Sequence, residues 1–363
     1  MDYILKHMDK DLLSFSVKGK TIFNLIMFKD FQEALPLPLK RIVKQGYSEE
    51  FVDSETEDSY FINEYGCELF DMWLSNRQIP NNRDNLYKYL SDDKTPRDLL
   101  LSNYGFSYTD NYWIVPKGSG VSWEYIKSLR NDLNTIYQRL DIDGKYWANN
   151  SSLGGQLEKF WYKSGNNIFL CKICKDNWQI ICVRELIASI IYERQKVIPY
   201  CHYGLIFKED TKKVNACFTK CFTSDKLELI TAYDLLEEYN LTQVDDIYDK
   251  IIDLAIPYGL SREEVQYYMD VQTIVDFLIT NRDRHQNNIG FLRDADTLRL
   301  VSCAPVFDSG SSVQLEGVSP EDVINTTVNS LYRTEAECLY RVKDFNVVNI
   351  SLLPSIGNVI KLS

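Results

Sequence analysis

The spacing of hydrophobic and polar residues changes twice along the chain. Residues 1–140 mix short alternating stretches, typical of strands, with stretches of helical spacing such as residues 64–74. Residues 141–224 mostly alternate, with one helix predicted over residues 183–194. From residue 225 to residue 363 the hydrophobic positions recur mostly at helical intervals, apart from two short strand-like stretches. The pattern therefore predicts an α+β chain in which an N-terminal α/β region precedes a small strand-rich lobe and a helical lobe.

Shorter elements complete this outline. The alternation predicts strands at residues 3–5, 21–27, 167–174, 202–207, 214–222, 289–292 and 298–301. Helical spacing predicts helices at residues 123–133, 233–239, 244–254 and 261–280, and another that starts at Ser319. Ser261 is followed three residues later by Glu264, which is a capping box and predicts where the longest of these helices begins.

Three polar side chains follow the ends of short elements in the C-terminal part. Asp283 and Asn288 lie in the loop after the predicted 261–280 helix, and Asp308 follows the strand at 298–301. Phosphoryl transfer uses one carboxylate to orient the attacking hydroxyl, and a carboxylate with an amide oxygen to hold magnesium. The step from Asp283 to Asn288 is the D-x-x-x-x-N step of a kinase catalytic loop, and Asp308-Ser309-Gly310 can take the place of Asp-Phe-Gly. The alternative is a solvated polar turn, where Asp and Asn are common.

The region upstream contains residues that suit phosphate binding. Small residues at Ser151-Ser152-Leu153-Gly154-Gly155 would let backbone N–H groups approach phosphate oxygens. Lys172 in the next predicted strand and Glu185 in the next helix have the order of the kinase ion pair that positions the α- and β-phosphates. Lys175 and Glu193 are the competing candidates. Successive strand positions alternate faces, so only one of the two lysines can face the nucleotide, and we prefer Lys172 because it follows the apolar run.

The segment 222–225 is the predicted hinge between the two lobes, where the adenine edge would bond to the backbone near Phe222. Two further residues of the 281–288 loop, Arg284 and His285, carry charged or polar side chains whose roles need to be assigned. Arg284 either contacts phosphate or pairs with a buried carboxylate, and His285 is expected to brace the loop through a backbone contact.

Two motifs together resemble a known family. The pattern N-x-D-R-H-x-x-N-x-G at residues 281–290 and Ser-Leu-Gly-Gly-x-x-x-Lys from Ser152 to Lys159 are similar to those of the HipA-like kinases, a bacterial Ser/Thr kinase family. The resemblance covers roughly residues 141–320, and residues 1–140 look like the leader half of Firmicutes-type members. It implies a bilobal kinase-like fold, with a β-rich lobe at 141–224 and a helical lobe at 225–363, that uses ATP and Mg²⁺.

The resemblance also implies roles for individual residues. Asp283 becomes the catalytic base, Asn288 and Asp308 the magnesium ligands, and Lys172 the phosphate-positioning lysine. Nucleotide contacts would come from Ser151, Ser152, Leu153, Gly154, Gly155, Lys159, Lys172, Glu185 and Phe222. Ser152, or Ser151 beside it, would be the site of inhibitory autophosphorylation. A toxin–antitoxin role is implied too, with a protein substrate such as an aminoacyl-tRNA synthetase or another translation factor, and an antitoxin partner.

Charge and cysteine content restrict the remaining classes. The net charge of −12 argues against nucleic-acid backbone binding as the main activity. No apolar run reaches transmembrane length and no signal peptide is evident, so we expect a cytoplasmic protein without membrane contact. Nine cysteines, an odd number, suggest reduced thiols. The pairs Cys171/Cys174 and Cys217/Cys221 lie in predicted strands, so buried free thiols are expected there rather than zinc.

Two further functions fit the same motifs. One is a nucleotide-binding regulatory or scaffold protein without turnover. The other is transfer of AMP instead of phosphate on the same fold.

Overall fold

The computed structural model describes residues 1–51, 59–80, 95–131, 157–174, 179–312, 325 and 327–354, and its N-terminal part is built on a six-stranded antiparallel sheet. The strand order is β4-β5-β3-β2-β1-β6. These strands are β1 (Asp2–His7), β2 (Lys10–Lys18), β3 (Thr21–Phe28), β4 (Ser48–Phe51), β5 (Ser59–Ile62) and β6 (Tyr112–Pro116). The strands predicted at 3–5 and 21–27 are confirmed within β1 and β3.

Four α-helices accompany this sheet in the described residues: α1 (Leu37–Lys44), α2 (Glu64–Asn76), α3 (Pro96–Ser102) and α4 (Trp123–Asn131). The predicted helix at 64–74 is confirmed as α2. It begins where it does because the Asn63 side chain accepts a hydrogen bond from the Gly66 N–H and so satisfies one of the unpaired donors of the first turn. Leu74 and Phe70 of α2 are fully buried against the sheet core.

A second, four-stranded antiparallel sheet has the order β7-β8-β10-β9. Its strands are β7 (Lys159–Ser164), β8 (Asn167–Ile173), β9 (Tyr203–Phe207) and β10 (Val214–Lys220), and the helix α5 (Gln179–Gln195) packs on β9 and β10. The predictions at 167–174, 183–194, 202–207 and 214–222 are confirmed.

The C-terminal part combines a three-stranded sheet with four α-helices in the described residues. The sheet has the order β11 (Leu227–Thr231), β12 (Gly290–Asp294), β13 (Leu300–Cys303), and the helices are α6 (Ala232–Glu237), α7 (Ile247–Ala255), α8 (Arg262–Leu278) and α9 (Glu335–Leu339). Ser261 caps α8 by accepting from the Glu264 N–H, as its sequence predicts. The predicted helix that starts at Ser319 lies outside the described residues. Strands followed by helices confirm the α+β fold class and give the element order of a kinase.

A buried ionic network joins the N-terminal sheet to the three-stranded sheet. Glu228 of β11 accepts hydrogen bonds from the Arg293 guanidinium at 2.6 and 2.9 Å and from the Asn111 N–H at 2.8 Å. His7 Nε2 lies 2.9 Å from Glu228 Oε1, and Arg293 also donates to the Tyr112 hydroxyl. His7 and Glu228 are 0% exposed and Arg293 is 1% exposed. The network therefore fixes the two parts of the chain against each other without contact with solvent.

Helix α1 makes a second contact between the same two parts. Arg41 donates to Glu237 at 2.5 Å, and Lys44 donates to Glu238 at 2.6 Å, where α1 packs on α6. Leu37 of α1 is buried in the core of the C-terminal part. In the described part of the chain, no helix has the length and apolar character needed to span a bilayer.

The cysteines depart from the sequence-based expectation at one place. Cys174 forms a disulfide with Cys182, so the expectation of a free thiol at Cys174 is wrong. Cys171 and Cys217 are buried free thiols, as predicted, whereas Cys221 is free but only half-buried. The pairing could not be foreseen because Cys182 lies outside the two short-spaced pairs, on helix α5.

Candidate active site

Lys172 is the centre of a buried ion cluster between the four-stranded sheet and helix α5. Its ammonium group lies 2.5 Å from Glu185 Oε1 and 2.6 Å from Asp308 Oδ1. Lys172 is 4% exposed and Glu185 is 0% exposed. The second oxygen of Glu185 accepts the Ser309 N–H at 2.9 Å. One lysine and one glutamate thus connect a strand, a helix and the segment that carries Asp308, and Glu185 rather than Glu193 is the helix partner.

The sheet places a second lysine beside the first. Lys159 of β7 is directly opposite Lys172 of β8, which is in turn opposite Cys217 of β10. Directly opposed residues of antiparallel strands share a face, so both ammonium groups belong to the side of the sheet that α5 covers. Lys159 is 8% exposed, and its charge acts on Asp308.

The segment Asp308-Ser309-Gly310 has an unusual backbone. Asp308 has a φ of 57°, in the left-handed region that non-glycine residues seldom occupy. A Cβ at Gly310 would lie 2.5 Å from Ile181 Cγ2 and 3.4 Å from Glu185 Oε1. Only glycine therefore lets this segment approach α5 closely enough for the Ser309 N–H to reach Glu185.

The polar loop 281–288 places Asp283 and Asn288 next to each other. The Asn288 amide donates to the Asp283 carbonyl at 2.8 Å, which leaves the amide oxygen as the atom suited to a cation. The Asp283 carboxylate is 39% exposed, and Asn329 donates to its Oδ1 at 2.5 Å. His285 accepts the Asn287 N–H at 3.2 Å and so braces the loop, as predicted.

The sequence left two roles open for Arg284, contact with phosphate or pairing with a buried carboxylate. The structure shows the second, because Arg284 pairs with Asp276. Its guanidinium donates to both oxygens of Asp276 at 2.7 and 3.1 Å. It also donates to the carbonyls of Asn288 and Phe307, at 2.8 and 2.6 Å. Because Phe307 precedes Asp308, this one side chain holds the Asp283–Asn288 loop beside the segment that carries Asp308.

The charges of the cluster keep Asp308 ionised. Burial by itself would raise the pKa of Asp308, but the ammonium groups of Lys172 and Lys159 outweigh it and hold this pKa below its ordinary value. Burial would likewise lower the pKa of Lys172, but Asp308 and Glu185 raise it well above the ordinary value. The Asp308 side chain remains 43% exposed although one oxygen contacts Lys172. An ionised carboxylate that is partly exposed to solvent suits a hard divalent cation.

A small cavity of about 20 Å³ lies behind the loop and is lined in part by Asp276, Arg284 and Glu335. Glu335 is 5% exposed, and its Oε1 has no hydrogen-bond partner in the described residues. Burial, reinforced by the charge of Asp276, raises the pKa of Glu335 to about 7.

The predicted hinge lies between β10 and β11, which belong to different sheets, and the N-terminal part holds it from one side. The Thr223 hydroxyl donates to the Tyr108 carbonyl at 2.6 Å, and the Asn111 amide donates to the Asp225 carbonyl at 3.0 Å. Phe222 packs on Phe307 with ring centroids 5.9 Å apart. A role for the Phe222 backbone in adenine binding stays a prediction.

Other predicted residues lie outside the described part of the chain. These are Ser151, Ser152, Leu153, Gly154 and Gly155, and the competing lysine Lys175.

Sequence reasoning missed two contributors to the site. Asn329 reaches Asp283 from a distant segment, and the Asp276 carboxylate anchors Arg284. Neither has a local signal, since Asn329 is an isolated polar residue and Asp276 looks like a polar position on a long helix. A buried arginine in the loop requires a carboxylate partner, and that is the one clue that could have pointed to Asp276.

Comparison with known proteins gives little further information. No family model matches the chain, and no curated protein matches it. A solved structure with a similar backbone is the Helicobacter pylori proinflammatory kinase CtkA, at 17% sequence identity and a TM-score of 0.44 over 58% of this chain and 82% of that chain. A likeness at this level does not assign the chain to a family.

Proposed function

We propose that the chain is an ATP- and magnesium-dependent protein serine/threonine kinase of the HipA-like type. The observation that carries this proposal is the contact of Lys172 with both Glu185 and Asp308. A strand lysine paired with a helix glutamate, beside an aspartate that follows a strand, is the set that protein kinases use to position nucleotide phosphates and metal.

Each residue has a specific task in this proposal. Lys172 and Lys159 would hold phosphate oxygens. Asn288 and Asp308 would hold magnesium, which would supply positive charge against the phosphates. Asp283 orients the acceptor hydroxyl and takes its proton. Since Asn329 holds one oxygen of Asp283, the other is presented to the substrate.

Some parts of the proposal rest on the sequence motifs alone. Residues 151–155 would cradle phosphate through backbone N–H groups, and Ser152 or Ser151 would accept a phosphate in autophosphorylation. The family resemblance also suggests a toxin whose substrate is a translation factor such as an aminoacyl-tRNA synthetase, with an antitoxin partner and a cytoplasmic location.

The test is transfer of radiolabel from ATP carrying the label at the γ-phosphate. We expect rapid incorporation with the wild type and incorporation slower by about a hundredfold or more with Asp283→Asn or Asp308→Asn. Equal incorporation in those variants would exclude this site as the catalytic centre. Label transferred only from α-labelled ATP would identify AMP transfer, and thermal stabilisation by ATP without any product would identify a regulatory binding protein. Intact-mass spectrometry after incubation with Mg-ATP would then locate a phosphate at Ser151 or Ser152.

A further inference from the structure

The disulfide between Cys174 and Cys182 lies beside the ion pair that the proposed function uses. Cys174 is two residues after Lys172, and Cys182 is three residues, close to one helical turn, before Glu185. The Cys182 sulfur lies 3.8 Å from the Lys172 carbonyl oxygen. Their Cα atoms are 6.6 Å apart, within the range that a disulfide can bridge. The bridge therefore links the strand that carries the lysine to the helix that carries the glutamate.

The first turns of α5 hold three separate contacts with the active site. Ile181 packs against Gly310, Cys182 is bonded to Cys174, and Glu185 binds the Lys172 ammonium group and the Ser309 N–H. If the start of α5 moved away from both Lys172 and the segment 308–310, all three contacts would break. Two of these contacts are non-covalent, so the disulfide is the part whose presence depends on redox conditions.

The bonded pair belongs to a larger group of neighbouring cysteines. Cys174, Cys182, Cys201 and Cys217 share one apolar cluster. Cys201 and Cys217 are free thiols, and burial raises the pKa of Cys201 to about 12 and raises that of Cys217 as well. A thiol with such a pKa stays protonated and reacts slowly with disulfides. Within this cluster the structure joins only Cys174 and Cys182.

We propose that Cys174 and Cys182 form a reversible redox switch that locks helix α5, with Glu185, onto Lys172. This inference rests on the proposed kinase function for its effect on activity, but not for the existence of the bridge. A low-molecular-weight disulfide such as oxidised glutathione supplies the oxidant. One cysteine thiolate attacks it and releases the first thiol, and the second cysteine attacks the mixed disulfide and releases the other. The protein loses two protons and two electrons, one S–S bond forms, and the oxidant becomes two thiols.

The burial of both sulfurs limits how fast the disulfide can exchange with small thiols. Cys174 and Cys182 are 0% exposed, so exchange with a small thiol requires the start of α5 to separate from β8. A nucleotide bound against Lys172 and Asp308 would hold the helix in place. We therefore expect reduction to be slower with Mg-ADP present.

The experiment uses the full chain equilibrated in buffers of varied reduced-to-oxidised glutathione ratio. Peptide mass spectrometry without reductant is expected to find a Cys174–Cys182 crosslink in the oxidised samples. The melting temperature should fall by several degrees on reduction, and the phosphoryl-transfer rate by about tenfold, because the covalent link no longer restricts the helix. Cys174→Ala and Cys182→Ala should both remove the response, whereas Cys67→Ala, which removes a free thiol in α2, should keep it.

The readouts separate the two proposals. Absence of the crosslinked peptide at every ratio overturns the switch, and so does a crosslink whose reduction changes neither the melting temperature nor the rate. The wild-type protein can be reduced and reoxidised without any substitution. The test therefore still works if a cysteine variant fails to fold. If the melting temperature follows the glutathione ratio while no phosphate is transferred in either state, the bridge stands and the proposed kinase function fails.

Discussion

Two buried charge clusters, one around Glu228 and one around Lys172, contain similar residues but differ in their exposure to solvent. In the first, every charged group faces a protein partner, and His7, Glu228 and Arg293 are at most 1% exposed. In the second, Lys172 and Glu185 are buried to a similar degree, but Asp308 is 43% exposed and has an oxygen that Lys172 does not occupy. A cluster closed on all sides can only hold the structure together, whereas one with an exposed anionic oxygen can bind a ligand.

Backbone geometry reinforces the contrast. Glu228 and Arg293 lie in regular strands that pair directly across the sheet, whereas Asp308 has a φ of 57° and depends on Gly310 and Arg284 for its position. A residue in a rare conformation costs free energy, and it persists only when its surroundings hold it there. The strain is therefore found where the cluster is open.

The largest expected effect comes from removing the charge of Asp308. Asp308→Asn should lower the phosphoryl-transfer rate by about 10²- to 10³-fold, because the amide cannot replace an anionic metal ligand. The melting temperature should change little, since Lys172 keeps its partner Glu185. Initial rates at saturating Mg-ATP measure this effect, with the exposed Asp296→Asn as the matched control. A rate equal to that of the control would show that the open cluster is not catalytic.

The closed cluster should behave in the opposite way. Glu228→Gln should lower the free energy of unfolding by about 3–5 kcal/mol, because it leaves Arg293 buried without its counter-charge. The transfer rate per folded molecule should stay within about threefold of the wild type. Denaturant titration measures the free energy of unfolding. The transfer rate is measured separately and divided by the fraction of folded protein, and the exposed Glu263→Gln is the control for both measurements.

The pH dependence provides an independent check on the same residue. Burial would raise the pKa of Glu228, but Arg293 and His7 outweigh it and depress this pKa below the ordinary 4.5. A depressed carboxyl pKa contributes stability that is present above 4.5 and is lost as the pH falls below it. The wild type should therefore lose stability in acid more steeply than Glu228→Gln. Parallel pH profiles would contradict a structural charge at this position.

An intermediate effect is expected at Arg284, which joins the loop to the Asp308 segment. Lysine cannot contact Asp276 with two nitrogens and also reach the carbonyls of Asn288 and Phe307. Arg284→Lys should therefore lower kcat by roughly 10- to 100-fold through misplacement of the reacting groups, with a smaller change in KM for ATP. Arg262→Lys, at an exposed ion pair, is the control. A larger change in KM than in kcat would indicate direct nucleotide binding instead.

The sequence predicted the part of the molecule that holds the candidate site better than it predicted the N-terminal part. Lys172 and Glu185 were identifiable because a strand lysine and a helix glutamate occur in a fixed order, and Asp283 and Asn288 because their spacing is specific. Strand β2 was missed since it is buried on both faces, so its hydrophobic residues do not alternate. Strand β6, in the aromatic stretch after Tyr108, was missed because turn residues precede it. The Cys174–Cys182 pairing and the Asn329 contact depend on tertiary structure, which local patterns do not encode.

The smallest expected effect concerns Glu335, beside the cavity behind the loop. Burial raises the pKa of Glu335 to about 7, above the ordinary 4.5, so the folded state binds a proton more tightly than the unfolded state. Its contribution to stability is therefore complete below 4.5 and is lost as the pH rises through about 7. Glu335→Gln imitates the protonated form, and it should stabilise the protein by about 1–2 kcal/mol above that pH and remove this part of the pH dependence. Melting temperatures across this range, compared with Glu263→Gln, test it. If Glu335→Gln destabilises the protein at high pH, the carboxylate has a partner that only its ionised form can bind, and the cavity is then a closed ionic site like the one at Glu228.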